Sequence, residues 1–235
     1  MHVRKVICAL DTGDFDEAAR VVKRLSPYVG AFKIGHALTL PYGLCVVDRL
    51  REAGANRVFL DLKFHDIPNS VALAVREASR YGVWMMTLHI AGGPAMITAA
   101  VEEARAHGED LAPKLVGVSV LTSLDQHTLT DYLGVPRSIE DHMVALSKIG
   151  TECGLDGVVC STHEVARIRR EIGHEGIIVV PGIRLVSAPT HDQIRVGTAQ
   201  AALEAGANYL VIGRALTDST DVEATLGAFG FAGTA

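Results

Sequence analysis

Asp61 and Lys63 stand two residues apart at the end of a strand-like run, and Lys33 lies in the run before it. In an extended strand, residues i and i+2 project to the same side. Asp61 and Lys63 are therefore expected to face one pocket, beside Lys33. Buried charges are costly unless paired, so alternating Lys and Asp is the way such a cluster survives. Chemically, the array sets an ammonium against a fixed carboxylate, both facing whatever anion binds there. A purely structural ion-pair network is the competing reading.

A second signal is an anion grip. Pro181-Gly182-Ile183-Arg184 and Gly213-Arg214 follow two late apolar runs. Gly213 permits close backbone approach, and Arg184 supplies a planar fork suited to phosphate. Late strands of a barrel commonly lead into phosphate sites built from loop amides, a helix N-terminus and a cation. The loop 185–193 is long enough to close over a ligand. Asp11, His89 and Thr122-Ser123 also fall at strand ends. Each has a bland explanation alone: a helix cap for Asp11, a solvated side chain for Lys33, a satisfied core histidine for His89. Their common placement argues for a site.

The elements that must position these residues alternate along the chain. Strands are predicted over 3–10, 31–34, 57–61, 84–90, 114–120, 157–160, 177–181 and 209–213. Runs such as Val6-Ile7-Cys8-Ala9-Leu10 lack polar/apolar alternation, as parallel strands buried on both faces do. Between them, Ala18, Val21, Val22 and Leu25 mark one face of a helix over 15–25, and a proline opens another over 94–106. Glu-Ala-Gly-Ala-Asn occurs at 52–56 and again at 204–208, with Gly54 and Gly206 as expected helix stops. Strand one ends in Asp11-Thr12-Gly13-Asp14, without the G-x-G-x-x-G of a doubly wound sheet. The expectation is an α/β fold, a single-domain (β/α)8 TIM barrel over 1–235, with chemistry at the C-terminal ends of its strands.

Bulk properties exclude several other classes. The 235 residues are 49% hydrophobic and 21% charged, which suits one large globular domain. The net charge of −5 and the scattered Lys and Arg residues argue against nucleic acid as a partner. No apolar run approaches a membrane span or a signal peptide, so no membrane partner is expected. Cys8, Cys45, Cys153 and Cys160 lack CxxC spacing and are expected to be buried free thiols in a reducing cytoplasm. No His-Glu-x-x-His pair supports a metal site. Trp84, Met85 and Met86 read as core packing.

The segment Asp61-Leu62-Lys63-Phe64-His65-Asp66-Ile67-Pro68-Asn69 resembles the signature of the orotidine 5′-monophosphate decarboxylases. Asp11, Phe32-Lys33-Ile34-Gly35, Leu121-Thr122-Ser123, Pro181 to Arg184, Asp192-Gln193 and Ile212-Gly213-Arg214 extend the resemblance in order along the chain. It implies that Lys63 donates a proton to carbon 6 of the pyrimidine as carbon dioxide leaves, with Asp61 against the departing carboxylate. Lys33 and Asp11 would hold each other and the ribose hydroxyls. Thr122, with Ser123 adjacent, would border the ring. Gln193, Arg184, Gly213 and Arg214 would hold the phosphate. Asp66 would reach, with Ile67 and Ser70, into a partner subunit's site, which implies a homodimer. The product would be UMP, from a cytoplasmic enzyme working without cofactor or metal.

Some positions depart from that pattern. Ser70 stands where threonine is common, and Ile90 makes the segment after His89 bulkier. Leu185 and Ala199 stand near positions where proline is frequent, which bears on the stiffness of the phosphate loop. Two rival readings remain. Magnesium-dependent sugar-phosphate aldolases and decarboxylases of the hexulose-phosphate synthase kind share Asp-x-Lys-x-x-Asp, but carry an acidic metal ligand where Lys33 stands. A catalytically silent nucleotide-binding barrel is the other.

Overall fold

The computed structural model describes residues 2–108, 111–184 and 197–231. Its eight strands are β1 (Val6–Leu10), β2 (Ala31–Ile34), β3 (Val58–Phe64), β4 (Met85–His89), β5 (Lys114–Val118), β6 (Gly157–Val159), β7 (Ile177–Val180) and β8 (Tyr209–Ile212). Helix α1 (Phe15–Leu25) follows β1, and α2 (His36–Tyr42) and α3 (Val46–Glu52) follow β2. Helices α4 (Pro68–Arg80), α5 (Pro94–Ala106), α6 (Ile139–Glu152) and α7 (Val165–Ile172) follow β3 to β6. After β7 comes α8 (Ala199–Glu204), and after β8 come α9 (Arg214–Thr217) and α10 (Val222–Ala228). Every strand is parallel to the next, and β8 returns to β1 through Val6↔Leu210 and Ile7↔Val211, closing the TIM barrel.

The missing polar/apolar alternation in the sequence has a simple cause. Both faces of each strand are apolar, but they enter different cores. Ile7, Ala9, Ala31, Phe59, Met85, Val116, Val179 and Val211 fill the barrel interior. Their sequence neighbours, such as Cys8, Phe32, Leu60, Met86, Val180 and Ile212, pack outward with Val22, Leu25, Val75, Ala100 and Ile168 of the surrounding helices. Trp84 and Tyr209 meet edge to face at 5.1 Å and pack against the interior cluster from the N-terminal end. Following the inward positions two residues toward the C-terminal end turns the core into a polar rim. Ala9 leads to Asp11, Ala31 to Lys33, Phe59 to Asp61, Met85 to Thr87, Val179 to Pro181 and Val211 to Gly213.

Local signals set the helix boundaries. Asp14 Oδ1 accepts the amide hydrogens of Asp16 and Glu17 at 2.8 and 3.1 Å, capping α1 at its predicted start. Gly54 and Gly206 adopt φ of 111° and 108°, a region open at little cost only to glycine. In both, the next amide reaches back five residues, Ala55 to Leu50 and Ala207 to Ala202, so the repeated pentapeptide is one helix stop used twice.

Three expectations need correction beyond shifts of one or two residues at the other strand ends. Residues 3–5 form a 3-10 turn, not the start of β1; the turn lets Val3 reach the outer core while Arg4 and Lys5 stay exposed. Cys8 and Cys160 are buried and Cys153 is partly so, but Cys45 is exposed where α3 begins. Burial pushes the Cys8 thiol up to about 12, which leaves it inert. Strand β3 runs on to Phe64, past its predicted end at Asp61, and this extension shapes the site. No helix among the described residues is long and apolar enough to cross a membrane.

Candidate active site

The C-terminal mouth of the barrel opens into a cavity of about 750 Å³, within the range of small-molecule sites. Its lining includes Asp11, Lys33, Asp61, Lys63, Thr87, Thr122, Arg184, Gly213 and Arg214. The charged array comes from the β1–β3 arc, and the two guanidinium groups follow β7 and β8, which close onto β1.

At the centre is Asp61, whose side chain is 14% exposed. Its Oδ1 lies 2.9 Å from Lys63 Nζ, and its Oδ2 lies 3.5 Å from Lys33 Nζ. Lys33 Nζ is also 3.4 Å from Asp11 Oδ1, so one ammonium sits between two carboxylates. Burial pushes the Asp61 carboxyl up, but Lys33, Lys63 and hydrogen bonds from Lys63 and Thr87 outweigh it and hold the group below its usual range. Asp61 is therefore a fixed negative charge at neutral pH.

Asp61 and Lys63 do meet, but not by the simple i, i+2 rule. Lys63 has φ of 52°, the one positive value at a non-glycine residue among those described. The β3–β4 pairing slips here: Leu60 faces Met86, but Phe64 faces Leu88, so four residues of β3 span two of β4. The bulge turns Lys63 out of the ladder and places its ammonium on the carboxylate two residues earlier. Such a backbone conformation costs on the order of 1–3 kcal/mol and persists where its surroundings over-determine it.

Sequence reasoning missed Thr87. It is 1% exposed, and its Oγ1 accepts the Lys63 amide hydrogen at 2.8 Å and donates to Asp61 Oδ1 at 3.0 Å. A hydroxyl between Met86 and Leu88 in an apolar strand was the available signal. Asp218, four residues after Arg214, also lines the mouth, and no sequence signal marked it. His89 is half-buried, its ring centroid 5.3 Å from that of His65. Burial, then His65 and Lys63, hold the His89 imidazolium below its ordinary pKa, so the ring is neutral at pH 7.

Other predicted residues lie elsewhere. Ser123 is exposed and does not line the cavity, although Thr122 does. Asp66 and Ile67 are exposed and Ser70 is half-exposed, where α4 begins outside the cavity of a single chain. Asp66 Oδ1 accepts the Ile67 amide hydrogen at 2.6 Å, and Ile67 is 66% exposed. Gln193 and Leu185, with the rest of the loop 185–193, lie outside the described residues.

Residues 4–229 match the family described as orotidine 5'-phosphate decarboxylase / HUMPS. An orotidine 5'-phosphate decarboxylase of Moorella thermoacetica is 44% identical over 225 residues, 94% of this chain and 89% of that protein. Its counterpart in Pseudoalteromonas translucida is 43% identical over 223 residues, covering 95% and 94% of the two chains. The crystal structure of orotidine 5'-phosphate decarboxylase from Lactobacillus acidophilus superposes with a TM-score of 0.84 at 31% identity, covering 97% of each chain. The chain belongs to the orotidine 5'-phosphate decarboxylase / HUMPS family.

Proposed function

We propose that this protein is a carboxy-lyase that converts orotidine 5′-monophosphate to UMP, the last step of de novo pyrimidine nucleotide synthesis, without metal or cofactor. The observation that carries the reading is the Lys33–Asp61–Lys63 array, at 3.5 and 2.9 Å, lining the same cavity as Arg184 and Arg214. Loss of carbon dioxide from the ring leaves a carbanion with little delocalisation. Lys63 places an ammonium where that charge develops, stabilises it and then donates the proton to carbon 6. Asp61 lies against the departing carboxylate. Its charge is fixed by Lys33 and Lys63, so it needs no reorganisation during the reaction.

The remaining residues bind and orient. Lys33 and Asp11 hold the ribose hydroxyls, Thr122 borders the pyrimidine with Ser123 beside it, and Arg184, Arg214, Gly213 and Gln193 grip the phosphate. Enzymes lower barriers by ~8–23 kcal/mol or more, more than one ammonium supplies. Binding energy from the distant phosphate is the supplement, used to hold the ring against the array. The single-domain barrel works as a cytoplasmic homodimer, in which Asp66, Ile67 and Ser70 complete the partner's site. Supporting this, residues 65–69 are exposed in the single chain, and Ile67 is one of its most exposed large apolar side chains.

Lys33 favours this reading over the magnesium-dependent branch. Its ammonium lies between Asp11 and Asp61, where its charge repels a divalent cation. The test is absorbance of orotidine 5′-monophosphate as the purified protein is added, beside sugar phosphates with magnesium. Conversion to UMP is expected; turnover of sugar phosphates alone would overturn the assignment.

A further inference from the structure

We propose that Thr87, outside the charged array, is the positioning residue that fixes Lys63 for proton transfer; the inference rests on the decarboxylase reading above. The bulge in β3 takes the Lys63 amide out of register with β4, and Thr87 Oγ1 accepts its hydrogen at 2.8 Å. A hydroxyl has one hydrogen to give. Because Lys63 N–H can only donate, the Thr87 hydrogen is left for Asp61 Oδ1, 3.0 Å away. That same oxygen accepts from Lys63 Nζ at 2.9 Å. The loop of contacts is closed: Lys63 amide to Thr87 hydroxyl, hydroxyl to Asp61, and Asp61 back to the Lys63 ammonium.

One buried oxygen thus references both ends of Lys63, its backbone and, through Asp61, its tip. Only a small side chain with both donor and acceptor capacity fits there, since Thr87 is 1% exposed and stands between fully buried Met86 and Leu88. The positive φ of Lys63 makes the support necessary, because a backbone in that region relaxes when its restraints are removed. Displacement of a reacting group by about 1 Å costs roughly 100-fold in rate. Thr87 acts through Lys63 and Asp61, so its removal is expected to slow chemistry while leaving nucleotide binding largely intact.

The test compares Thr87→Val, which keeps the shape and removes the hydroxyl, with Thr87→Ser, which keeps the hydroxyl. Three readouts are needed: kcat and KM with orotidine 5′-monophosphate, UMP affinity by calorimetry, and solvent exchange of the Lys63 amide in 15N-lysine-labelled protein. Thr87→Val is expected to lose kcat by about 10- to 100-fold with KM and UMP affinity within about threefold. Its Lys63 amide should exchange faster than in wild type. Thr87→Ser should recover kcat to within about threefold and restore slow exchange. Unchanged kcat in Thr87→Val, or equal losses in Val and Ser, would overturn the proposal. If Thr87→Val does not fold, Thr87→Ala provides the hydroxyl-free arm. Absence of wild-type turnover would instead sink the decarboxylase reading, and a Lys63 amide that exchanges equally in all variants would separately refute the role of Thr87.

Discussion

Replacing Lys33 with methionine removes one of the two cations that keep Asp61 ionised. At 3.5 Å in an effective dielectric near 20, opposite unit charges attract by about 5 kcal/mol before desolvation is considered. Lys33 and Asp61 are each 14% exposed, so desolvation offsets part of that attraction; the contact with Asp11, 69% exposed, adds little. Breaking a buried pair by removing one partner costs about 3–5 kcal/mol. Lys63 still faces Asp61, so Lys33→Met is expected at the low end, about 3 kcal/mol less stable at pH 7. The pH dependence has a definite sign. Asp61 has its folded pKa below its unfolded value, so its contribution to stability is complete above ~4 and is lost as pH falls through the folded value. Without Lys33, burial weighs more heavily and the folded pKa rises. The acid limb of urea-unfolding stability then becomes shallower, and the acid limb of kcat/KM moves to higher pH. At pH 7, kcat/KM should fall by at least ~100-fold. Urea denaturation from about pH 2 to pH 8, with rates over the part of that range in which each protein stays folded, checks both. A variant whose stability stays within about 0.5 kcal/mol of wild type and whose acid limb does not move would refute the charge-array reasoning.

Lys63→Gly and Lys63→Ala should both be inactive, but the glycine variant should be about 1 kcal/mol more stable, because alanine still occupies the left-handed conformation; equal melting midpoints would argue against strain at Lys63. Arg169 donates to the carbonyls of Gly173, Gly176 and Gly206 and to Asn208 Oδ1, at the end of the barrel opposite the cavity. Arg169→Met should lose about 2–4 kcal/mol by denaturant unfolding with kcat changed by less than about twofold; a large kcat defect at full stability would contradict this division of labour. If Asp66 completes the partner's site, mixing inactive Asp66→Ala and Lys63→Ala proteins should restore roughly a quarter of wild-type activity, since half of randomly re-paired dimers hold one intact site. Absence of recovery after confirmed subunit exchange would place Asp66 outside a shared site.

The barrel was legible because its strands and helices carry local signals strong enough to survive tertiary packing. The segment Ala31–Ile34 and the helices Phe15–Leu25 and Pro94–Ala106 match their predicted bounds. The ends of the strands were less legible, because there the chain answers to cross-strand geometry. Val3 looks like strand by composition yet enters the core from a turn. Alternation points Asp61 and Lys63 both inward, but their contact depends on a bulge against β4 and a left-handed Lys63. No pattern within β3 reveals a slip set by its neighbour. Thr87 went unnoticed for a related reason, since a single threonine in an apolar strand gains its role only from the two atoms it faces. The apolar neighbourhood of Cys45 points to burial, but Val46, Val47 and Leu50 carry the burial of α3 and leave Cys45 exposed.

The most direct test of the proposed metal-free reaction follows the absorbance of orotidine 5′-monophosphate in excess EDTA, with wild type and Lys63→Ala side by side. Rapid conversion to UMP by the wild type, abolished in a folded Lys63→Ala protein, is the expected result. A folded, dimeric wild type that leaves the nucleotide untouched, or that turns it over only when magnesium is restored, would contradict the assignment.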